Sequence, residues 1–314
     1  TSDAWLRFTE AQGAADWVEV TLMVGPGHGT AAIALDNGAK YVPTSAPVLS
    51  ETVVRFSGKV HEISIRPTGD GEVTVLSVAA GTNAPGISYA TLGLPGATAW
   101  SPAKWTADFA ARDLRKLAPD LIVLSYGTHE GFDDHLDIRQ YEMRLRLVLD
   151  QLREWAPQAS LLVTGPPDAA RLPAFAGSAG SQVCRALDAR EIAHYDKMME
   201  QSDERLARWH APPKLEAVRA ALRRIAASSG AFYWDRAHAM GGACSIHAWT
   251  TSHPRMAAQD HITLTEAGDD RTARNLFAEL MAGYDVYLKD LAAKAKAIAD
   301  AEQAVASKPQ KKRR

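Results

Sequence analysis

The chain has 314 residues, of which 23% are charged and 46% are hydrophobic, a balance that is typical of a globular protein and excludes a disordered one. No apolar run approaches the roughly 20 residues that a membrane-spanning helix needs, so no transmembrane segment is predicted. The net charge of −2 argues against a nucleic-acid partner, which would require a basic face.

Residues 1–87 are predicted to form an all-β module. Apolar and polar residues alternate over 18–23 and again over 62–66, which is the period of a strand with one buried face. Glycine-rich turns such as the one at 68–71 separate the runs, as in a β-sandwich. Because the chain opens at Thr1 with neither a methionine nor a signal-peptide pattern, we expect that a leader has been removed or that the natural N-terminus lies upstream.

Residues 88–286 are predicted to form a parallel α/β domain. The run 121–124 is apolar on both faces, as in a central strand of a parallel sheet. An amphipathic helix follows between Tyr141 and Trp155, and shorter strands are predicted at 161–163 and 232–234. The alternation of strands with helices favours a parallel sheet flanked by helices.

A last helix is predicted over 265–284, ahead of a tail at 287–314 that is rich in alanine and lysine. This tail is interpreted as a solvated helix that ends in a frayed basic segment, Lys311–Arg314. Such a segment either contacts an anionic surface or is a terminus without a role, and the second reading is favoured.

The cysteines and histidines do not form a metal-site pattern, and no cofactor is predicted. Cys184 and Cys244 are either one disulfide, if the protein is exported, or two buried thiols. Three histidines lie between the third strand and the last helix: His238, His247 and His253. Their spacing is irregular and no Asp or Glu accompanies them at the sequence spacing of metal ligands, which favours solvated side chains. Trp249, in the same stretch, either stacks on a sugar ring or packs internally.

Three loops are the candidate positions for chemistry, because ligands of parallel α/β sheets bind beyond the carboxyl ends of the strands. The first, 125–130, follows the apolar run. The second, 92–98, precedes the first helix, and the third, 259–265, leads into the last helix. Each loop alone is a weak signal, whereas their order and spacing together are much more specific.

The segments that contain these loops resemble conserved blocks of the SGNH (GDSL-type) hydrolases, and in particular of bacterial O-acetylesterases of peptidoglycan and polysaccharides. They read GISYATLGLPGATAW at 86–100, DLIVLSYGTHEGFD at 120–133 and QDHITLTEAG at 259–268. The resemblance covers nearly the whole chain except the tail. It implies a three-layer α/β/α sandwich with a parallel sheet, preceded by an inserted β-sandwich similar to a carbohydrate-binding module.

The resemblance also implies roles for individual residues. Gly96 and the side chain at 129 would form the oxyanion hole, with Gly127, Thr128 and Glu130 as supporting residues. Asp260 would be the acid of a Ser-His-Asp triad, and the triad histidine position is occupied by Thr263.

Ser125, at the end of the apolar run, is predicted to be a packed hydroxyl.

Three departures from the pattern concern the chemistry. Gly-Asp-Ser does not occur in the sequence, and the family places it upstream of the β-insert, so we expect it before Thr1 together with the first strand and helix of the fold. His129 stands where the family has asparagine, and the loss of one oxyanion donor typically costs about 2.7–4 kcal/mol of transition-state stabilisation. Thr263 cannot take up a serine proton near neutral pH.

His261 is the fallback base, because it lies beside Asp260. Adjacent residues of an extended segment point to opposite faces, however, which favours a structural role for His261. Asp260 itself either orients a histidine, as in the family, or caps the following turn, and the sequence leaves the two readings open.

Two functions follow as hypotheses. The first is a carbohydrate esterase that hydrolyses O-acetyl esters on peptidoglycan or exopolysaccharide, with this chain impaired by the three departures. The alternative is a polysaccharide-binding or scaffold protein without catalysis. By resemblance the partner is an acetylated glycan and the location is periplasmic or extracellular, whereas the oligomeric state is not indicated.

Overall fold

The computed structural model describes residues 4–9, 13–36, 38–93, 96–104 and 107–306. The chain divides into two compact units, Thr1–Leu92 and Gly93–Arg314. No described helix combines the length and the apolar character that crossing a membrane requires. The basic end of the tail lies outside the described residues.

The first unit contains, among its described residues, seven strands in two antiparallel sheets. The strands are β1 (Leu6–Thr9), β2 (Ala15–Val24), β3 (Thr30–Leu35), β4 (Gly38–Pro43), β5 (Ser50–Val60), β6 (Glu62–Pro67) and β7 (Val75–Gly81). One sheet has the order β1-β6-β3-β4 and the other β5-β2-β7. Apolar side chains from both sheets share one core, which confirms the predicted β module.

The alternation in the sequence accounts for this core. Val18, Val20 and Leu22 of β2 are buried, and so are Ile63 and Ile65 of β6, while the residues between them are less buried. Each strand therefore turns one apolar face inward, as a side-chain period of two requires.

The second unit alternates helices with three parallel strands among the described residues. Its strands are β8 (Leu121–Ser125), β9 (Ser160–Thr164) and β10 (Phe232–Trp234). Its helices are α1 (Ala107–Leu117), α2 (Thr128–Gly131), α3 (Ile138–Trp155), α4 (Ala189–Ala193), α5 (Tyr195–Glu200), α6 (Pro213–Ser228), α7 (Arg236–Met240), α8 (Ser245–Thr250) and α9 (Glu266–Ala306), with short 3-10 turns at Ser101–Lys104, Gly180–Gln182 and Glu204–Leu206. The sheet order is β10-β9-β8, with both pairs parallel as predicted.

The main core of the second unit packs α3 and α6 against this sheet. Leu145, Val148 and Leu149 of α3 are fully or almost fully buried, since apolar residues recur along one stripe of the helix. Asp137 caps the N-terminus of α3 by accepting hydrogen bonds from the backbone N–H groups of Arg139 and Gln140.

Two elements differ from the expectations. The strand β8 was expected in the middle of the sheet, but it is an edge strand of the described sheet, and its side chains Leu121 and Val123 are half exposed. Its apolar composition suits burial, yet no described strand covers its second edge. The last helix, expected to end near residue 284, continues as α9 to Ala306, because the alanine-rich sequence that follows also favours a helix.

Cys184 and Cys244 form a disulfide across a sequence separation of 60 residues. The bond connects the segment before α4 to the residue that precedes α8. Of the two readings that the sequence left open, the structure therefore has the disulfide.

Candidate functional site

A cleft of about 380 Å³ opens where the sheet of the second unit ends. Ser125 and Tyr126, at the carboxyl end of β8, form one part of its wall, and Pro166 and Pro167, after β9, form another. Ligands of parallel α/β sheets bind at this edge. The cleft is therefore the candidate site.

Two of the three predicted loops meet in this cleft. Thr128 reaches it from the first loop, and Thr263 reaches it from the third, together with Ile262 and Leu264. These segments are 135 positions apart in sequence (128 to 263), so the fold itself brings them together.

The first loop turns sharply at Gly127, whose φ is 116°, a conformation that side chains with a Cβ rarely adopt. A Cβ at this position would also lie 3.0 Å from Val218 Cγ1 and 3.1 Å from Pro166 Cδ. The turn leads directly into the short helix α2, which places Thr128 on the cleft wall and leaves His129 exposed. His129 does not belong to the cleft lining.

Glu130 connects the first loop to the residue that follows the second loop. Its side chain is buried, and its carboxylate accepts hydrogen bonds from the backbone N–H of Ala99, at 2.7 Å, and from that of Gly127, at 3.1 Å. One carboxylate thus holds two backbone segments that the sequence places about 30 residues apart.

The second loop is described only in part, because Leu94 and Pro95 lie outside the described residues. Gly96 is exposed with a φ of 79°, and it is not among the residues that line the cleft. Thr98 and Ser101 close the next turn, with the Thr98 N–H donating to Ser101 Oγ at 3.0 Å.

The third loop is organised by Asp260. Its Oδ1 accepts hydrogen bonds from the backbone N–H groups of Ile262 and Thr263, both at 2.9 Å, and its Oδ2 accepts one from Thr263 Oγ1 at 2.7 Å. Partial burial acts to raise the pKa of Asp260, but the hydrogen bonds from Thr263 and Ile262 outweigh it and lower that pKa. Asp260 therefore caps this turn, and its side-chain partner is the residue at the triad histidine position.

His261 points away from this arrangement. It is buried, and its ring stacks on Trp209 at a centroid distance of 3.5 Å. Both ring nitrogens have a partner: Nε2 lies 2.9 Å from His247 Nδ1, and Nδ1 lies 2.9 Å from the carbonyl oxygen of Gln259. Burial lowers the pKa of His261, so its neutral form is favoured. These contacts are those of a packed structural histidine.

Ser125 is a correction to the sequence analysis. It was expected to be a packed hydroxyl, but it is exposed and lines the cleft, because β8 ends there at the edge of the described sheet. Trp249, by contrast, packs internally in a cluster with Ile246 and Met240.

The sequence analysis missed two charged residues of the cleft, Arg236 and Asp269. Arg236 begins α7 just after β10, and the rule that selected the other loops also applies to this strand end. Asp269 lies in the first turn of α9, where no motif singled it out. Among the described residues that line the cleft, none is a histidine, so the hydroxyl and charged groups there lack an imidazole base.

Comparison with protein-family models and with curated proteins gives no match. Among solved structures, the chain is similar to a peptidoglycan O-acetylesterase, with 24% identity over 90% of this chain and 69% of that chain and a TM-score of 0.63. Weaker likenesses are to an acetylxylan esterase from Geobacillus stearothermophilus (16% identity, 54% of this chain and 66% of that chain, TM-score 0.31) and to the periplasmic domain of a lipopolysaccharide acetyltransferase from Salmonella ser. Paratyphi A (14%, 55% and 61%, TM-score 0.36). The first likeness is one of fold, and it agrees with the predicted parallel α/β domain preceded by a β module.

Proposed function

We propose that this chain belongs to a carbohydrate esterase of the SGNH type that hydrolyses O-acetyl esters on peptidoglycan or exopolysaccharide. The observation that carries the proposal is the cleft, where Thr128 of the motif Gly127–Glu130 meets Thr263, the partner of Asp260. In the SGNH-type hydrolases that the chain resembles, the residues at positions 128 and 263 flank the ester that reacts. The proposed partner is therefore an acetylated glycan.

In the proposed reaction, the hydroxyl oxygen of a serine attacks the acetyl carbonyl carbon, and a base takes the serine proton. The sugar oxygen leaves with a proton, and water then releases acetate from the serine. The resemblance assigns stabilisation of the negative charge on the carbonyl oxygen to Gly96 N–H and the side chain at 129, two residues that lie outside the cleft lining in this structure.

The nucleophilic serine is proposed to come from a segment upstream of Thr1. Leu121 and Val123 of the edge strand β8 support this assignment, because they share one face of the sheet and are half exposed, and the additional strand and helix expected upstream would cover that apolar surface. Residues 1–87 are proposed as the carbohydrate-binding-like module and 88–286 as the esterase domain, with 287–314 as a tail.

The substitutions at 129 and 263 imply that this chain is impaired. His129→Asn together with Thr263→His, in a protein extended upstream to include the serine block, is expected to raise hydrolysis of p-nitrophenyl acetate. The gain from the oxyanion donor alone should be of the order of 100-fold. Activity is measured from the release of p-nitrophenolate.

The matched control makes the same two exchanges at exposed positions outside the three motif segments, His253→Asn with Thr251→His. This control should hydrolyse the ester no faster than the extended protein without substitutions. If the double variant at 129 and 263 is equally inert, the esterase proposal is wrong.

The proposed location is outside the cytoplasm, in the periplasm or at the cell wall. The disulfide between Cys184 and Cys244 supports it, because disulfides persist mainly in oxidising compartments.

The second candidate is a polysaccharide-binding or scaffold protein, and the outer face of the sheet β1-β6-β3-β4 favours it. Tyr41 and Arg66 are the cross-strand neighbours of Ala32 on this face, and both are exposed. Trp5 immediately precedes β1, with the Arg7 guanidinium 4.8 Å from its ring centroid, and is exposed as well. Exposed aromatic rings beside guanidinium groups suit the faces and polar groups of sugar rings.

Calorimetric titration with polysaccharide, without any catalytic readout, tests this candidate. Tyr41→Ala should weaken glycan binding severalfold, whereas Tyr89→Ala, which removes another exposed tyrosine of the first unit, should not. Absence of binding to acetylated and to bare polysaccharide would exclude the candidate.

A further inference from the structure

The cleft wall carries a guanidinium that the proposed reaction does not use. Arg236 is the first residue of α7, its side chain is 22% exposed, and it lines the cleft. Its Nε is buried without a hydrogen-bond partner among the described residues. A buried polar group without a partner is costly, and more so when it belongs to a charged side chain.

The charge of Arg236 is only weakly compensated. Its one ion pair among the described residues is a contact of 3.4 Å between Nη2 and Asp269 Oδ1, and the Asp269 side chain is 65% exposed. Burial lowers the pKa of Arg236, and Asp269 opposes that effect. The water-facing carboxylate of Asp269 is thus a loose partner for a cation that is mostly withdrawn from water.

The other walls suit a sugar ring. Ser125, Thr128 and Thr263 place hydroxyl groups around the cleft, while Pro166 and Pro167 provide a rigid apolar wall. The volume of about 380 Å³ lies within the range of small-molecule sites.

We propose that the cleft selects a sugar that carries a free carboxylate, a uronic acid, and that the carboxylate binds Arg236 in place of Asp269. A guanidinium presents a planar fork of N–H donors that matches a carboxylate, and such charge-assisted pairs are about twice as strong as neutral hydrogen bonds. This inference names the substrate class of the esterase and therefore rests on the proposed function, but it concerns binding and not hydrolysis.

Calorimetry on the full chain tests the inference with two trisaccharides, trigalacturonate and its fully methyl-esterified form. The two probes have the same sugar skeleton and differ in the methylation, and hence the charge, of the carboxyl groups. Tighter binding of the acid than of the ester, by about tenfold or more at low salt, is expected, and added salt should reduce this preference.

Two substitutions should act in opposite directions. Arg236→Gln should abolish the preference for the acid, whereas Asp269→Asn should strengthen acid binding severalfold by removing the competing carboxylate. If Arg236 and Asp269 had only a structural role, the two substitutions would not change acid binding in opposite directions. Asp269→Asn alters an exposed side chain, so the test does not depend on whether Arg236→Gln folds.

The matched control is Arg274→Gln. Arg274 is 75% exposed on α9, pairs with Asp270 at 2.8 Å and does not line the cleft, so its replacement should leave both affinities unchanged. Equal affinity for acid and ester, absence of binding of either probe, or weaker acid binding by Asp269→Asn would overturn the inference.

The outcomes also separate this inference from the esterase proposal. Preference for the acid without hydrolysis in the upstream-extended, substituted protein supports the inference and contradicts the esterase. Hydrolysis together with equal affinity for acid and ester supports the esterase proposal and contradicts the inference.

Discussion

His210 is a fully buried imidazole with a hydrogen-bond partner at each ring nitrogen. Its Nε2 lies 2.9 Å from Tyr195 Oη, and its Nδ1 lies 2.8 Å from the carbonyl oxygen of Arg208. Burial lowers the pKa of His210 to about 4, and the Arg208 carbonyl only partly opposes this effect. The native state therefore holds His210 neutral.

The stability of the chain should consequently fall as the pH is lowered from 6.5 to 4. Between pH 6.5 and pH 4, His210 is protonated in the unfolded state but stays neutral in the folded state, so protonation favours the unfolded state. The loss attributable to His210 is of the order of 3 kcal/mol across the window. Urea unfolding at pH 7.5, 6 and 4.5 measures it.

His210→Gln should flatten this pH dependence, whatever its effect on stability at pH 7.5. His253→Gln, at an exposed position, should leave the dependence as it is in the unaltered chain. A dependence of equal steepness in the two variants would contradict the assignment to His210.

Glu130→Gln should destabilise the second unit by about 1–3 kcal/mol. The carboxylate accepts from both Ala99 N–H and Gly127 N–H, and the amide nitrogen of a glutamine would face one of these donors without being able to accept. Thermal unfolding measures the effect, with Glu279→Gln on the exposed surface of α9 as a control of similar chemistry. Equal unfolding temperatures for the two variants would show that the Glu130 bridge is unimportant.

At the scale of elements, β8 and β9 are neighbouring strands with contrasting burial. Val123 of β8 is 49% exposed, whereas Val163 of β9 is 0% exposed. We expect Val163→Ala to cost about 2 kcal/mol or more, because it leaves a cavity. Val123→Ala should cost less than about 1 kcal/mol.

Chemical denaturation of the two variants gives this comparison. Repeating Val123→Ala in a protein extended upstream should raise its cost towards that of Val163→Ala, if the additional strand and helix cover this face of β8. An equal cost in both proteins would argue against such a cover.

The elements themselves could be predicted more readily than their positions. The period of two over 18–23 and the apolar stripe of α3 are local patterns, and both predicted the right element. The edge position of β8 could not be predicted, because the run 121–124 is equally apolar whether or not a second strand covers it. Sheet order depends on contacts that periodicity does not encode.

At the scale of the whole molecule, the two units are connected through a segment that lacks regular structure. Residues 82–93 contain no described helix or strand, and Tyr89 is 89% exposed. Brief digestion with chymotrypsin should therefore cleave first after Tyr89 and give fragments 1–89 and 90–314. Mass spectrometry of the first products measures this outcome, and an initial cut inside a strand of the first unit would contradict it.

The candidate site could be predicted from sequence only where a motif marked it. The motif Gly127–Glu130 and the pair Asp260 and Thr263 were found in this way, and the fold brings Thr128 and Thr263 to one cleft. Arg236 was missed because a single arginine after a strand has no distinctive pattern, and its significance depends on burial. Burial of that kind is a property of the assembled fold.

The helix α9 has 41 residues, which corresponds to a length of roughly 60 Å. From residue 282 to residue 300, every side chain of the helix is exposed. This half of the helix gains little stability from tertiary packing, so its helical conformation depends on the high helix propensity of its alanine residues. Its ellipticity should therefore decline gradually on warming, by fraying from the C-terminal end, before the cooperative unfolding of the core begins.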